Sequence, residues 1–148
     1  MNSVEFGTAL REELAKHSAE AARRIGEILA RIPAKARSLD LEVFPSQDGD
    51  GFFGVRASFD GPDLYVLNKP IDQFADIIEP KYTEAGVVPA IPLLDTPNAG
   101  FAVNDVVVDS VATWLKSVWE SLDSSARITV RVVGHDGYGT ITPLALGP

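Results

Sequence analysis

His17 is the residue whose type and spacing are best suited to acid–base chemistry. It lies four residues after Glu13, and on a helix that spacing brings a carboxylate within reach of an imidazole. A histidine oriented by a carboxylate is the arrangement of many general bases. It is also the arrangement of a histidine that packs on an apolar helix face and bonds to its neighbour, and we favour this interpretation. His135, beside the Asp136-Gly137 turn, is interpreted in the same way as an exposed hairpin residue rather than a site residue.

The remaining short motifs predict turns rather than metal or phosphate sites. Asp48-Gly49-Asp50-Gly51 resembles the start of a calcium loop, but the third acid and the distant glutamate of an EF-hand are missing, so we predict a hairpin turn. Gly137-Tyr138-Gly139 is followed neither by a Lys-Ser/Thr pair nor by a helix start, as a phosphate loop would be. The chain has no cysteine, hence no thiol nucleophile, and it has no zinc-ligand spacing. We therefore predict no metal and no cofactor, and consider catalysis less favoured than binding.

The charge of the chain is unevenly distributed along the sequence. Residues 1–38 carry seven Lys/Arg and five Asp/Glu, whereas the following 110 residues carry six and sixteen. An acidic surface is repelled by nucleic-acid backbones and by anionic membranes, so we expect neither as a partner. It would attract a basic protein. The alternative is that the acidity only maintains solubility.

Composition predicts one ordinary globular domain over residues 1–148. The chain is 148 residues long and 45% hydrophobic, which is enough for one substantial core. Its start lacks the features of a signal peptide, and it has no apolar run long enough for a bilayer. We therefore expect a soluble, cytoplasmic protein.

The first element is predicted as one long helix over residues 3–32. Its apolar stripe recurs at steps of three or four residues, at Phe6, Leu10, Leu14, His17, Ala21, Ile25, Ile28 and Ile32. Pro33 should end it. A helix of this length could also pair with that of a second copy.

Residues 39–68 alternate between apolar and polar side chains and predict three strands. The turn at 48–50 places Val43 opposite Val55, and therefore Glu42 opposite Arg56 on the polar face. We expect these two charged side chains to form an exposed pair. Leu64 to Leu67, after the Gly61-Pro62 turn, read as the third strand.

The second half is predicted to contain a short helix at 71–78, an apolar proline-rich segment at 79–100, a helix at 104–122 and a terminal hairpin. With Asp136-Gly137 as a two-residue loop, Val132 faces Ile141 in that hairpin. Pro143 then falls at an outward position, so residues 138–144 should form an edge strand.

These elements predict an α+β two-layer sandwich. The expected chain order is α-βββ-α-α-ββ, with about five strands in an antiparallel sheet and the helices on one face. The opposite face should be polar, carrying Asp40, Glu42, Arg56, Ser58, Thr129, Arg131, Thr140 and Thr142.

Three functional hypotheses follow from these observations. The first is a non-catalytic protein-binding module for a basic partner, using the acids around 79–100, which are Asp72, Asp76, Glu79, Glu84 and Asp95. Bacterial toxin-immunity proteins and small secretion chaperones offer an analogy at the level of class only. The second is a small-molecule binder or enzyme with an apolar pocket lined by His17, Phe53, Phe59 and Trp114. The third is a homodimeric scaffold that associates through residues 3–32 or 79–100.

Overall fold

The computed structural model describes residues 1–95, 99–123 and 126–147. Within these ranges there are four α-helices: α1 (Ser3–Ala15), α2 (Ser18–Leu29), α3 (Leu64–Asn68) and α4 (Val103–Ser121). Its strands are β1 (Ser38–Pro45), β2 (Phe53–Asp60), β3 (Asp76–Ile78), β4 (Lys81–Thr83), β5 (Gly86–Val88), β6 (Thr129–Gly134) and β7 (Leu144–Gly147). The α+β class is therefore confirmed.

Five strands form the main sheet in the order β3-β2-β1-β6-β7. The β1–β2 hairpin has the predicted register, with Val43 opposite Val55 and Glu42 opposite Arg56. Strand β6 lies parallel to β1, so the sheet is mixed rather than wholly antiparallel. The parallel pairing arises because α4 lies between β1 and β6 in the chain and supplies the long crossover that parallel strands need.

The core lies between one face of this sheet and helices α1, α2 and α4. Side chains alternate along β1 and β2, so that every second residue is buried, as a sheet covered on one face requires. The largest fully buried side chains include Phe6, Phe53 and Phe59. On the other face lie the polar residues predicted for the strands, namely Asp40, Glu42, Arg56, Ser58, Thr129 and Arg131; Thr140 and Thr142 lie outside the strands.

The predicted helix over 3–32 is wrong in its continuity. It is two helices, with Lys16 capping the end of α1 and His17 in a non-helical conformation before α2. No proline or glycine marks the break. Both helices contact α4, and the indole Nε1 of Trp114 donates a hydrogen bond to Ser18 Oγ at 2.9 Å. Tertiary packing therefore decides where the apolar stripe is interrupted between α1 and α2. The described residues do not contain the single long helix on which the hypothesis of dimerisation through residues 3–32 was based.

The predicted third strand at 64–67 is also wrong, because this segment is helix α3. Only Leu67 of its apolar residues is buried, while Leu64, Tyr65 and Val66 are exposed. The side chain of Asn68 accepts a hydrogen bond from the Phe59 N–H at 2.7 Å and donates one to the Phe59 carbonyl at 3.1 Å. This amide thus replaces a strand partner at the end of β2.

The predicted helix at 71–78 is instead a single 3₁₀ turn at Lys69–Ile71 followed by strand β3. Ile77 and Ile78 are both buried, and β3 pairs antiparallel with β2. In a sequence, two adjacent apolar residues are compatible with either a helix or a strand. Here the pairing with β2 makes the segment a strand.

The helix predicted at 104–122 is confirmed as α4, but the terminal hairpin has a different register. Val132 lies opposite Leu144 rather than Ile141, because His135–Gly137 form a 3₁₀ turn and residues 139–141 bind carboxylates of α4. The edge strand is β7, which begins after Pro143. The position at the sheet edge is as predicted, whereas the bounds 138–144 are wrong.

The segment 79–100 contains a small hairpin, β4–β5, that pairs separately from the main sheet. Tyr82 is exposed and stacks on Phe52, with ring centroids 5.2 Å apart and planes 6° from parallel. Residues 96–98 of the segment lie outside the described residues.

Candidate functional site

The main candidate site is a hollow of about 460 Å³ between helix α2 and the edge strand β3, which we call the acidic hollow. Its described lining residues come from three separate parts of the chain: His17, Glu20, Arg24, Asp72, Gln73, Asp76, Ile77, Ile78, Glu79 and Pro89. Four of these are carboxylates and one is an arginine. The consecutive run 76–79 means that the strand itself forms one wall.

The carboxylates of the acidic hollow differ in how far they are already neutralised. Glu20 binds Arg23 at 2.7 Å and Arg24 at 3.0 Å. These bonds, the one from Arg23 first, lower the pKa of Glu20 to about 2, so it is ionised at neutral pH. Glu79 is exposed, and no salt bridge reaches it among the residues described here.

Asp72 and Asp76 share one cation, Arg56. Its guanidinium lies 2.8 Å from Asp76 and 3.0 Å from Asp72. The hydrogen bond to Asp76 is the main reason that the pKa of Arg56 is raised. The expected side-chain pair with Glu42 is therefore not formed. The strand register places the two residues opposite each other, but Glu42 binds His135 Nδ1 at 2.8 Å.

His17 forms part of the wall of the acidic hollow and is hydrogen-bonded as the sequence suggests. Its Nε2 lies 2.8 Å from Glu13 Oε2, and its side chain is 33% exposed, so it is more than half buried, as expected for a residue on the apolar stripe. Burial alone would raise the pKa of Glu13, but hydrogen bonds from His17 and Lys16 outweigh it and lower that pKa. The described lining contains no serine, threonine, tyrosine or lysine that this histidine could activate.

The acids proposed for partner binding are only partly brought together. Asp72, Asp76 and Glu79 line the acidic hollow. Glu84 lies between β4 and β5 and is exposed. Asp95 lines a different hollow, beside Met1 and Leu93.

The four residues proposed for an apolar pocket are not brought together around a common hollow. Phe53 and Phe59 are at most 1% exposed and belong to the packed core, as does Trp114. Only His17 lines one of the hollows described here.

A second hollow, of about 480 Å³, opens at the N-terminus of α4, and we call it the α4 hollow. Its described lining residues are Gln47, Asp48, Gly49, Ala99, Phe101, Ala102, Val103, Asn104, Asp105 and Tyr138. In the sequence, Asn104 and Asp105 stand where a helix cap would be expected, whereas the structure places the N-cap at Ala102. The local pattern carries no sign of the loops that fold over this end of the helix.

Two further classes of site are tested by the described residues. Within ranges 1–95, 99–123 and 126–147, no three His, Asp or Glu side chains are grouped closely enough to hold a metal ion. None of the helices in those ranges combines the length and the apolar character needed to cross a membrane.

The fold is α+β, with helices packed on a mixed sheet and the carboxylate-lined acidic hollow beside its edge strand β3. The chain belongs to DUF6389, a family of unknown function whose model matches residues 1–148. No curated protein and no solved structure matches the chain. Its function must therefore be inferred from its own residues.

Proposed function

We propose that this protein is a non-catalytic protein-binding module, and that its acidic hollow receives an extended, basic segment of a partner protein. The observation that carries the proposal is the coincidence of an edge strand with a cluster of carboxylates. Residues 76–79 form one wall of a hollow whose described lining carries four acids and one arginine.

The edge strand supplies a means of holding the backbone of a partner. Strand β3 is the terminal strand of the main sheet and pairs only with β2 among the described strands. An edge strand presents free N–H and C=O groups, and an extended peptide can add to them as a further strand. With a side-chain period of two, alternate residues of that peptide would point toward the same wall of the hollow.

The carboxylates supply the selectivity for basic side chains. Glu79 has no bound cation among the described residues, and Asp72 and Asp76 share a single arginine. The net charge of −8 adds a long-range attraction that raises the association rate for a cationic partner. The partner we propose is a basic, cytoplasmic protein. Immunity proteins and small secretion chaperones offer an analogy at the level of class only.

The direct test measures binding of a short fluorescein-labelled peptide of alternating lysine and valine by fluorescence anisotropy. A peptide of alternating glutamate and valine is the control for sequence-independent adhesion. The proposal predicts saturable binding of the lysine peptide that weakens as salt is raised, and no binding of the glutamate peptide. Equal binding of both peptides, or of neither, contradicts it.

A matched pair of charge reversals locates the binding. Glu79→Lys changes a carboxylate in the acidic hollow, and Glu84→Lys makes the same change in the exposed β4–β5 turn. We expect Glu79→Lys to weaken lysine-peptide binding about tenfold, which is about 1.4 kcal/mol, and Glu84→Lys to change it about twofold or less. Equal effects would show that net charge, rather than the hollow, attracts the peptide.

A further inference from the structure

The N-terminus of helix α4 carries backbone donors that the described part of the chain leaves unused. The first α4 N–H with a helical acceptor is that of Val106, which bonds the Ala102 carbonyl at 3.1 Å. The N–H groups of residues 103–105 have no partner within the helix. Ala102, at the N-cap, offers no side-chain acceptor. Ala102 and residues 103–105 line the α4 hollow, so these donors lie at its wall.

Asn104 provides a second and independent sign of a missing partner. It lines the α4 hollow and is only 8% exposed. Its Nδ2 donates to the Ser46 carbonyl at 3.0 Å, which fixes the orientation of the amide. Its Oδ1 is buried and receives no hydrogen bond from any residue in the described ranges. Buried polar atoms without a partner are rare in proteins, so a donor from outside the chain would complete this one.

The other walls of the α4 hollow add negative charge and an apolar surface. Asp48 and Asp105 are its two carboxylates, and its described lining contains no lysine or arginine. One oxygen of Asp105 is occupied by the Gly139 N–H at 2.8 Å. Phe101 provides an aromatic wall. Its ring also packs against Phe6, with 5.8 Å between the ring centroids. The hollow thus combines donors for an anionic group, acceptors for a cationic group, and an apolar contact.

We propose that the α4 hollow binds a free α-amino acid. The ligand carboxylate accepts hydrogen bonds from the N–H groups of residues 103–105, where the helix dipole favours negative charge. Its ammonium group donates to Asn104 Oδ1 and lies against the carboxylates of Asp48 and Asp105. Its side chain contacts Phe101. A volume of about 480 Å³ lies within the range of small-ligand sites. This site is separate from the acidic hollow and does not depend on the proposed peptide binding.

The test begins with isothermal titration of the full chain with each standard L-amino acid. The strongest binder is then compared with two analogues, its decarboxylated amine and its deaminated carboxylic acid. We expect at least one amino acid to bind with one-to-one stoichiometry, and each analogue to bind at least about tenfold more weakly. Absence of binding by every amino acid overturns the proposal, and so does an analogue that binds as tightly as the parent.

Two exposed positions allow the contacts to be tested without disturbing the core. Ala102→Asp places a carboxylate at the N-cap, where it occupies the same N–H groups and should stabilise the helix. We expect this variant to keep or raise its Tm and to lose at least about tenfold in amino-acid affinity. Asp48→Asn should weaken binding of the amino acid, whereas Glu84→Gln, outside the hollow, should not. Wild-type affinity in Ala102→Asp would show that the carboxylate does not bind at the helix N-terminus.

Discussion

Arg56 is the residue that limits the negative potential of the acidic hollow, because it binds both Asp72 and Asp76. The sequence placed it correctly opposite Glu42, but could not show its bonding partners. Asp76 belongs to strand β3, which pairs with β2 only after the chain has passed through α3. The residue pairs of the β1–β2 hairpin alone therefore do not reveal that Asp76 binds Arg56.

Removal of the Arg56 charge should strengthen the proposed binding. In Arg56→Met the carboxylates of Asp72 and Asp76 lose their shared cation, so affinity for the lysine–valine peptide should rise about three- to tenfold. Because the Arg56 side chain is 43% exposed, stability should fall by about 1 kcal/mol or less. Fluorescence anisotropy and thermal denaturation measure the two effects.

Arg131→Met is the matched control for this substitution. Arg131 is 44% exposed and binds Asp40 at 2.7 Å on the open face of the sheet, outside the acidic hollow. Its loss makes the same change in net charge. If both variants strengthen binding equally, the local role assigned to Asp72 and Asp76 is wrong.

His135 should make the stability of the protein depend on pH near neutrality. The hydrogen bond to Glu42 and, less strongly, the charge of Asp136 raise the pKa of His135, so the folded state binds its proton more tightly than the unfolded state. The resulting stabilisation is complete below the unfolded pKa of about 6.5 and disappears as pH rises through the higher folded-state value. His135→Gln should therefore lower Tm at about pH 5.5 and leave it unchanged at about pH 9.

Glu42→Gln checks the cause of this behaviour. It removes the main acceptor for His135, so its Tm should also differ most from wild type at low pH. A Tm difference that is constant with pH in both variants would contradict a role for the charge of His135. In His135→Gln, such a constant loss would instead reflect the lost contact with the Phe44 ring, whose centroid lies 4.8 Å from that of His135.

Helix α4 organises the segment that precedes β7. The carboxylate of Asp109 accepts hydrogen bonds from Thr140 N at 2.7 Å, Thr140 Oγ1 at 2.6 Å and Ile141 N at 3.2 Å. These contacts divert the chain after the turn, so that Val132 pairs with Leu144. The Asp136-Gly137 pair correctly predicts a chain reversal, but the strand register depends on a helix that lies some 30 residues away in sequence.

Asp109→Ala should loosen this end of the sheet. Three hydrogen bonds to a carboxylate are lost, and the donors become partly accessible to water, so we expect a cost of about 1–3 kcal/mol. Urea denaturation measures it, and Glu120→Ala, an exposed carboxylate on the same helix, should change stability by about 0.5 kcal/mol or less. Equal effects would mean that Asp109 does not anchor the segment.

Hydrophobic periodicity correctly predicted the helices and strands that bury one regular face. It gave the wrong secondary structure where long-range contacts determine the backbone conformation. Helix α4 and the β1–β2 hairpin follow directly from apolar spacing. The break at His17, the helix at 64–68 and the strand at 76–78 depend on contacts with Trp114, Phe59 and β2 respectively. None of these partners is adjacent in sequence, so local patterns carried no sign of them.

At the scale of the whole molecule, the acidic hollow exists only because the sheet places β3 at its edge, beside α2. Its walls come from residues 17–24, 72–79 and 89. Only the acids in the second of these ranges were predicted from the sequence, which carries no sign that the three ranges meet. Three of the five predicted acids meet there, while Glu84 and Asp95 lie elsewhere. The predicted acids are therefore only partly brought together, and their role in binding a partner stays a prediction.

The most direct test of the central claim is a two-dimensional NMR titration of the ¹⁵N-labelled protein with the lysine–valine peptide. We expect the largest amide shifts at residues 76–79 and 20–24. Hydrogen exchange should also slow at Asp76, whose N–H points away from β2 because Arg56 and Asp76 form a non-hydrogen-bonded pair beside the Ala57 N–H to Ala75 carbonyl bond, as the peptide adds to the edge of β3. Amides around the β4–β5 turn and the α4 hollow should move little. Shifts spread evenly over the acidic surface, or concentrated away from β3, would contradict the assignment of the acidic hollow as the binding site.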